Sequence, residues 1–249
     1  MLELKNISAS QINEFITNRS MWFAKKFRGL KTPMNLPMAR GRAVEAGINY
    51  FVSNDKSDIT AAVKAAMDEY DKASSGLVDD LTFRQSIGPT TTKMISHFNS
   101  ICETLKSKPR IQEKIEIYLD GCSIPLTGYL DYIWDARCVR DCKVTGKTPS
   151  ELTDAYKIQG AIYRHVTKLP VVFTFGICKK EFDIKEIKLS EDDFMWGLKI
   201  ATKAAQAIEK IVSTPIDGEL IEAFLFPNTD AGYSKEDVNL ILKEYGVLD

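Results

Sequence analysis

Near Lys108 the apolar residues stop recurring every three or four positions and begin to alternate, and this change of period limits the fold more than any other feature. Before it, Ile12, Phe15, Ile16, Trp22, Phe23 and Phe27 recur at helical spacing from a Ser8 cap with Gln11 in the capping-box position. Further helices are expected over 39–51, 59–70 and 91–105, separated by a proline-containing loop at 29–37 and a polar connection at 71–80. After Lys108, alternation at Ile111, Ile115, Ile117 and Leu119 is followed by strand-like segments at 124–133 and 137–144. Asp120-Gly121 and Asp135-Ala136 fit the turns between them, which predicts an antiparallel meander. A helix over 151–166, strands over 171–177 and 182–189, and a long helix capped by Ser190 and closed by Pro215 come next, with a small terminal helix over 234–245. The order implies an α/β fold, a central mixed sheet flanked by helices, with a helical amino-terminal portion.

At 249 residues, 44% of them hydrophobic and 27% charged, the chain can bury a full core, which argues against disorder and against a disulfide-built scaffold. No linker divides it, so residues 1–249 read as one domain: a mainly helical portion at 1–108, the sheet and its flanking helices at 109–212, and a carboxy-terminal extension at 213–249. Lys and Arg number 33 against 34 Asp and Glu, so any surface for a polyanion must be local. The five cysteines, at 102, 122, 138, 142 and 178, lack paired or zinc-finger spacing and suit a reducing compartment. The amino terminus shows no basic stretch leading into an apolar one, and no apolar run approaches the roughly 20 residues of a membrane span. A cytoplasmic protein without a membrane partner is expected, in the host cytoplasm if the chain is viral.

The chemistry is concentrated in residues 125–147, PLTGYLDYIWDARCVRDCKVTGK. Asp131 falls near the end of one expected strand, while Asp141 and Lys143 share one face of the next because side chains alternate with a period of two. Two carboxylates meeting at a strand end are hard oxygen ligands suited to Mg2+ or Mn2+. Such a pair, with a lysine beside it, is a minimal set for hydrolysing a phosphodiester. An isolated D-x-K triplet is a weak signal, and only its neighbours give it weight.

Those neighbours are Gly128-Tyr129-Leu130-Asp131 upstream and Gln159-Gly160-Ala161-Ile162-Tyr163 downstream. With Asp141-Cys142-Lys143 between them, the ordered motifs G-x-x-D, D-x-K and Q-x-x-x-Y resemble the RecB-like and Cas4-like exonuclease branch of the PD-(D/E)XK nuclease superfamily, particularly its phage and archaeal members. The resemblance implies a restriction-endonuclease-like core, with Asp131 and Asp141 as metal ligands, Lys143 assisting the nucleophile or the transition state, and Gln159 and Tyr163 beside the metals and the DNA. From the residues alone, Tyr163 reads equally well as a packing residue of an amphipathic helix. Gly41-Arg42-Ala43-Val44-Glu45 departs from the family pattern by placing Glu45 where a histidine is usual. Glu45 is then a third carboxylate ligand or, alternatively, a solvated helix residue, and Glu116 reads as an exposed strand carboxylate.

Segments resembling Ile7-Ser8-Ala9-Ser10 often open these nucleases, which brings Ser10 among the candidate substrate contacts. Lys25, Lys26, Arg28, Lys31, Arg40 and Arg42, interleaved with Trp22, Phe23 and Phe27, form the densest basic cluster and can meet backbone phosphates, with an aromatic free to stack on a base. Arg164 and Lys168 extend a smaller patch from the Tyr163 helix. Relatives with an iron–sulfur cluster have cysteines near both ends, and with none before 102 or after 178 no cluster is expected here. Cys138 and Cys142 read as core support. The expected activity is Mg2+- or Mn2+-dependent hydrolysis of single- or double-stranded DNA from its ends, in the company of recombination or replication proteins. A structure-specific or single-strand endonuclease, or a noncatalytic DNA-binding recombination accessory, is the alternative.

Overall fold

A computed structural model of the chain describes residues 2–54, 58–78, 80–215, 239, 240, 242 and 243. Ser8 opens α1 (Ala9–Thr17) by accepting the Gln11 amide, as the capping-box spacing predicts. The apolar repeat from Ile12 to Phe27 is nevertheless not one helix. The Asn18 amide ends α1 on the Glu14 carbonyl, and its side chain then caps α2 (Arg19–Phe23) by accepting the Met21 amide at 3.0 Å. A buried polar residue thus turns the chain within an unbroken apolar face. A π turn (Ala24–Arg28) follows and closes at Gly29, which is left-handed with φ 74°.

Three helices, α3 (Leu36–Ser53), α4 (Ile59–Ala73) and α5 (Leu81–Leu105), pack around Ala39, Ala43, Ala66, Tyr70 and Ile87. Asn35 caps α3 and Pro37 occupies its first turn, where the missing N–H is harmless, so the helix begins ahead of the expected 39. The correction at α5 is larger: it starts at Leu81, not 91, and runs through Gly88 and Pro89. An interior proline costs roughly 3 kcal/mol. Burial of Ile87, Thr90, Thr91 and Met94 on either side of it holds the helix together.

The strands β1 (Arg110–Ile117), β2 (Leu126–Trp134) and β3 (Cys138–Thr145) form the expected antiparallel meander. From β3, α6 (Asp154–Thr167) crosses to β4 (Val171–Ile177), which lies parallel to β3, and β5 (Asp183–Lys188) pairs antiparallel with β4. The result is a mixed five-stranded sheet in the order β1-β2-β3-β4-β5. Helices α1, α6 and α7 (Glu191–Ser213) share a core with it that includes Ile115, Leu130, Ile162, Phe173, Phe175 and Ile208. On the other side, α3 and α5 bury Ile48, Met94 and Phe98 against Tyr132 and Trp134. The terminal helix expected over 234–245 lies outside the described residues apart from four positions. No helix among the described residues is long and apolar enough to cross a membrane.

The sheet is not continuous along its length, and the break is what places the site. Strands β2 and β3 pair only from Tyr132↔Arg140 to Trp134↔Cys138, whereas the far end of β2 pairs with the amino-terminal segment through Ile7↔Leu126. Between these pairings β2 and β3 part, and Asp131 and Asp141 are the first residues beyond the last shared pair.

Helix α6 owes its position to a close approach at Gly197 of α7. A Cβ there would stand 2.6 Å from the Lys157 carbonyl oxygen and 2.9 Å from Ala161 Cβ, both on α6. Overpacking of this kind costs about 1–3 kcal/mol, against the roughly 1 kcal/mol alanine gains over glycine in a helix. Gly197→Ala is therefore expected to lower stability by about 1 kcal/mol net, read as a lower urea midpoint at unchanged slope.

Candidate active site

At the opening between β2 and β3, Asp131 Oδ2 accepts the Cys142 amide of β3 at 3.0 Å. That bond holds one aspartate beside the other. Asp141 is fully buried at 0% exposure, and Lys143 lies on its face of the strand, as alternation predicts, with Nζ 2.5 Å from Asp141 Oδ1. The ammonium engages that oxygen, while Asp141 Oδ2 has no partner among the described residues. Buried carboxylate oxygens are ordinarily satisfied, and the open Oδ2 is an exception that asks for a further cation or a proton. Lys143 Nζ also stands 5.5 Å from the centre of the Tyr156 ring on α6.

Other elements converge on the same place. Glu45 reaches from α3 and accepts the Gln112 side-chain amide at 2.7 Å. On α6 the Gln159 amide donates to the Tyr163 hydroxyl at 2.8 Å, and that hydroxyl donates to the Tyr129 carbonyl oxygen at 2.9 Å, two residues before Asp131. The shared helix face of Gln159 and Tyr163 is thus used, though its first task is to brace β2. A groove of about 530 Å³ runs from Tyr129 along Thr127, Lys114, Lys5, Asn6 and Ser8. Ser10 lies next to it, its hydroxyl 2.9 Å from that of Ser8.

The charges in the cluster strain against one another. Burial raises the Asp131 carboxyl well above its ordinary range, and Asp141 and Glu45 push it further, against the opposing pull of Lys143 and the Cys142 amide. Burial likewise raises Asp141 in spite of Lys143, and raises Glu45, with Lys143 and Asp141 acting on it in opposite directions. Burial opposes the Lys143 ammonium, but Asp141 and Asp131 outweigh it and hold the proton on. These influences show that Glu45, Asp131, Asp141 and Lys143 lie within one another's fields. Burial and the two aspartates also raise Cys142 well above the ordinary thiol range, which leaves it an inert core residue.

A carboxyl raised in the folded state binds its proton more tightly there than in the unfolded chain. Stability therefore falls as pH rises from the unfolded aspartate value of about 3.9 through the raised folded one. Asp131→Asn removes the repulsion while its amide oxygen can still accept the Cys142 N–H. Without divalent cations at pH 7.5 this variant is expected to be more stable than the parent by about 1 kcal/mol, or roughly 2–4 °C in melting temperature. The gap should close towards pH 4, and a gap that instead widened in acid would contradict the charge assignment.

Several residues of the expected basic surface are engaged elsewhere. Arg40 is buried over the Phe83 ring at 4.6 Å and belongs to the core, which corrects its place in the cluster. Trp22 and Phe23 are fully buried and Phe27 packs against them, so none of these aromatics is free to stack on a base. Lys25 pairs with Glu14 at 2.5 Å, and burial lowers Lys26. Arg28 ends the π turn, and Arg42, largely exposed, is 4.0 Å from Glu69 on α4. Arg164 pairs with Glu191 at 2.5 Å and lies over Phe194, beside a second groove with Lys168 and Lys188 and away from the carboxylates. Glu116 is an exposed strand residue 3.4 Å from Lys114, and Cys138 and Cys142 pack into the core as expected.

Among the described residues, no three His, Cys, Asp or Glu side chains stand at metal-coordinating spacing. What the site offers is a pair of neighbouring aspartates, one with an open oxygen, and Glu45 nearby. These are the hard ligands that suit Mg2+ or Mn2+. Gln112 is the residue sequence reading missed. It is exposed within β1, and no signal in the neighbouring sequence marks it.

No family model matches the chain, and no curated protein matches it significantly. Among solved structures, a crystal structure of a candidate exonuclease from Eubacterium rectale overlays with a TM-score of 0.58 at 14% identity, covering 90% of this chain and 84% of that one. The protein SSO0001 overlays over 67% of this chain and 85% of its own with a TM-score of 0.32 at 13% identity, too loosely to argue from. The fold of this chain is therefore that of the Eubacterium rectale protein over nearly its whole length, a nuclease-like α/β architecture.

Proposed function

We propose that this protein is a metal-dependent deoxyribonuclease of the PD-(D/E)XK superfamily, of the RecB-like and Cas4-like branch, acting from DNA ends. The observation that carries the reading is the fully buried Asp141, which pairs with Lys143 through one oxygen, leaves the other unpartnered, and stands beside Asp131 where the sheet opens. Three supports stand with it: the ordered motifs around these residues, the shared fold with a candidate exonuclease, and the meeting of Gln159, Tyr163 and Glu45 near the same point.

Asp131 and Asp141 would hold the cation, with Glu45 joining them. Two carboxylates suffice for Mg2+, which keeps much of its water and takes further oxygens from phosphate. When bound, the ion supplies Lewis acidity and a more acidic water. The remaining work belongs to the chain. Lys143 keeps its proton, so it acts as a fixed cation beside the scissile phosphate and not as a base. Tyr163 and Gln159 hold the β2 backbone from which Asp131 projects. The groove from Tyr129 to Lys5, lined also by Glu116, lies along the strand that carries Asp131 and offers Lys114 and Lys5 for phosphates and the exposed Tyr129 ring for a base.

End-labelled linear DNA and closed circular DNA, incubated with Mg2+ or Mn2+ beside an Asp131→Asn control, test the reading. Metal-dependent loss of linear DNA with circles intact is the expected result. Cut circles would favour an endonuclease with the same site, and no metal-dependent cleavage of either DNA would refute the reading.

A further inference from the structure

Among the described residues, the non-glycine positions with left-handed backbone are Lys106, Gln112, Ala136 and Lys168. Lys106 and Lys168 cap the carboxy-terminal ends of α5 and α6, and Ala136 lies in the turn between β2 and β3, all ordinary places for such a backbone. Gln112, with φ 52°, is different because it lies inside β1. Strand pairing runs through Ile111↔Tyr132 and resumes at Glu113↔Leu130, and the pair omitted between them is Gln112 with Asp131. The one interruption of this ladder thus falls opposite a residue of the candidate site.

A left-handed residue in a strand is unfavourable for any side chain, and such departures persist only where the surroundings enforce them. Gln112 itself is exposed, while Ile111 packs on the α3/α5 side and Ile115 on the α1/α6/α7 side, so β1 changes faces at this left-handed residue and turns the Gln112 side chain towards α3. Its side-chain amide donates to Glu45 Oε1 at 2.7 Å, joining β1 to α3 at the level of Asp131. Lys114, on the same strand, interacts with Glu116 and not with Glu45.

We propose that Gln112 is a positioning residue, held in a left-handed backbone so that its amide fixes the Glu45 carboxylate towards the cation held by Asp131 and Asp141. The inference rests on the nuclease reading of the site. Gln112 touches neither ion nor substrate in this scheme and acts through Glu45, as hydrogen-bond partners of metal ligands commonly do.

The test uses the full chain, Mn2+ as the probe and two readouts: binding, followed by the electron paramagnetic resonance signal of free Mn2+, and melting temperature without divalent cations. Gln112→Gly suits the backbone but removes the amide, and Gln112→Ala removes the amide alone. Both are expected to weaken Mn2+ binding about tenfold or more, while Gln112→Gly melts no lower than the parent. In a Glu45→Ala background, Gln112→Gly should weaken binding no further, because the interaction it removes is already gone. Parent-like Mn2+ affinity in Gln112→Gly, or an equal loss with and without Glu45, would overturn the inference. If the parent itself bound Mn2+ no better than an Asp131→Asn/Asp141→Asn control, the nuclease reading would fail first and Gln112 with it, so the two failures are distinguishable.

Discussion

Asp141→Asn is expected to reduce metal-dependent DNA cleavage by about 10³-fold or more, while the far-ultraviolet circular dichroism spectrum stays that of the parent. The side chain keeps its shape in the buried slot but loses its charge and one of its two carboxylate oxygens. Lys143→Gln should cost roughly 10²–10³-fold, the scale of removing one preorganised charge from a transition state. The two variants differ in their pH behaviour. Lys143 draws both aspartates downwards, so its removal raises them further above the ordinary carboxyl range. The rising limb of the pH–rate profile, which requires ionised carboxylates, is then expected to move to higher pH in Lys143→Gln. A profile that kept its position would show that Lys143 does not govern these carboxyls.

The second large effect is structural. Phe98→Ala is expected to destabilise the protein by about 3–5 kcal/mol, a large share of the 5–15 kcal/mol typical of a folded domain. Phe98 of α5 is fully buried, with its ring 4.7 Å from that of Tyr132 in an edge-on arrangement and 5.9 Å from that of Trp134. Both partners lie on β2, next to Asp131. Tyr132 continues the chain of contacts through its hydroxyl, which donates to Asn49 Oδ1 on α3 at 2.8 Å. The cluster therefore fixes β2 against the helix that carries Glu45. Thermal unfolding should fall on the order of 10 °C, and a drop of only one or two degrees would mean that the cavity collapses and that these rings do not set the position of α3.

Where the sequence was legible, the reason was periodic burial. The meander shows in the alternation of β1 and in two turn sequences, because its strands bury residues on the faces that alternation marks. Asp141 and Lys143 fall on one face for the same reason. The helix expected over 91–105 begins ten residues earlier, at Leu81, because burial of Ile87, Thr90, Thr91 and Met94 holds it together across Gly88 and Pro89, which only the packed structure reveals. Asn18 misled in the opposite direction, since an apolar repeat can continue across a break when a polar cap is itself buried.

The basic cluster fared differently from the acidic one. Charge density in sequence says nothing about partners, and Arg40, Lys25 and Arg164 turn out to be engaged by Phe83, Glu14 and Glu191. The carboxylates were legible because their spacing, unlike that of the lysines and arginines, is tied to strand geometry. Gln112 was not legible at all, because a left-handed residue within a strand leaves no trace in its neighbours' identities.

The opening between β2 and β3 is expected to hold a divalent cation on Asp131 and Asp141. Anomalous scattering from crystals of the full chain grown with Mn2+ tests it most directly. A strong anomalous peak is expected on carboxylate oxygens of both aspartates, on the order of 2.1 Å from each, the distance of such hard-ligand bonds, and is expected to be lost in Asp131→Asn. A map with no peak between them at saturating Mn2+, or with one at another acidic cluster instead, would contradict it.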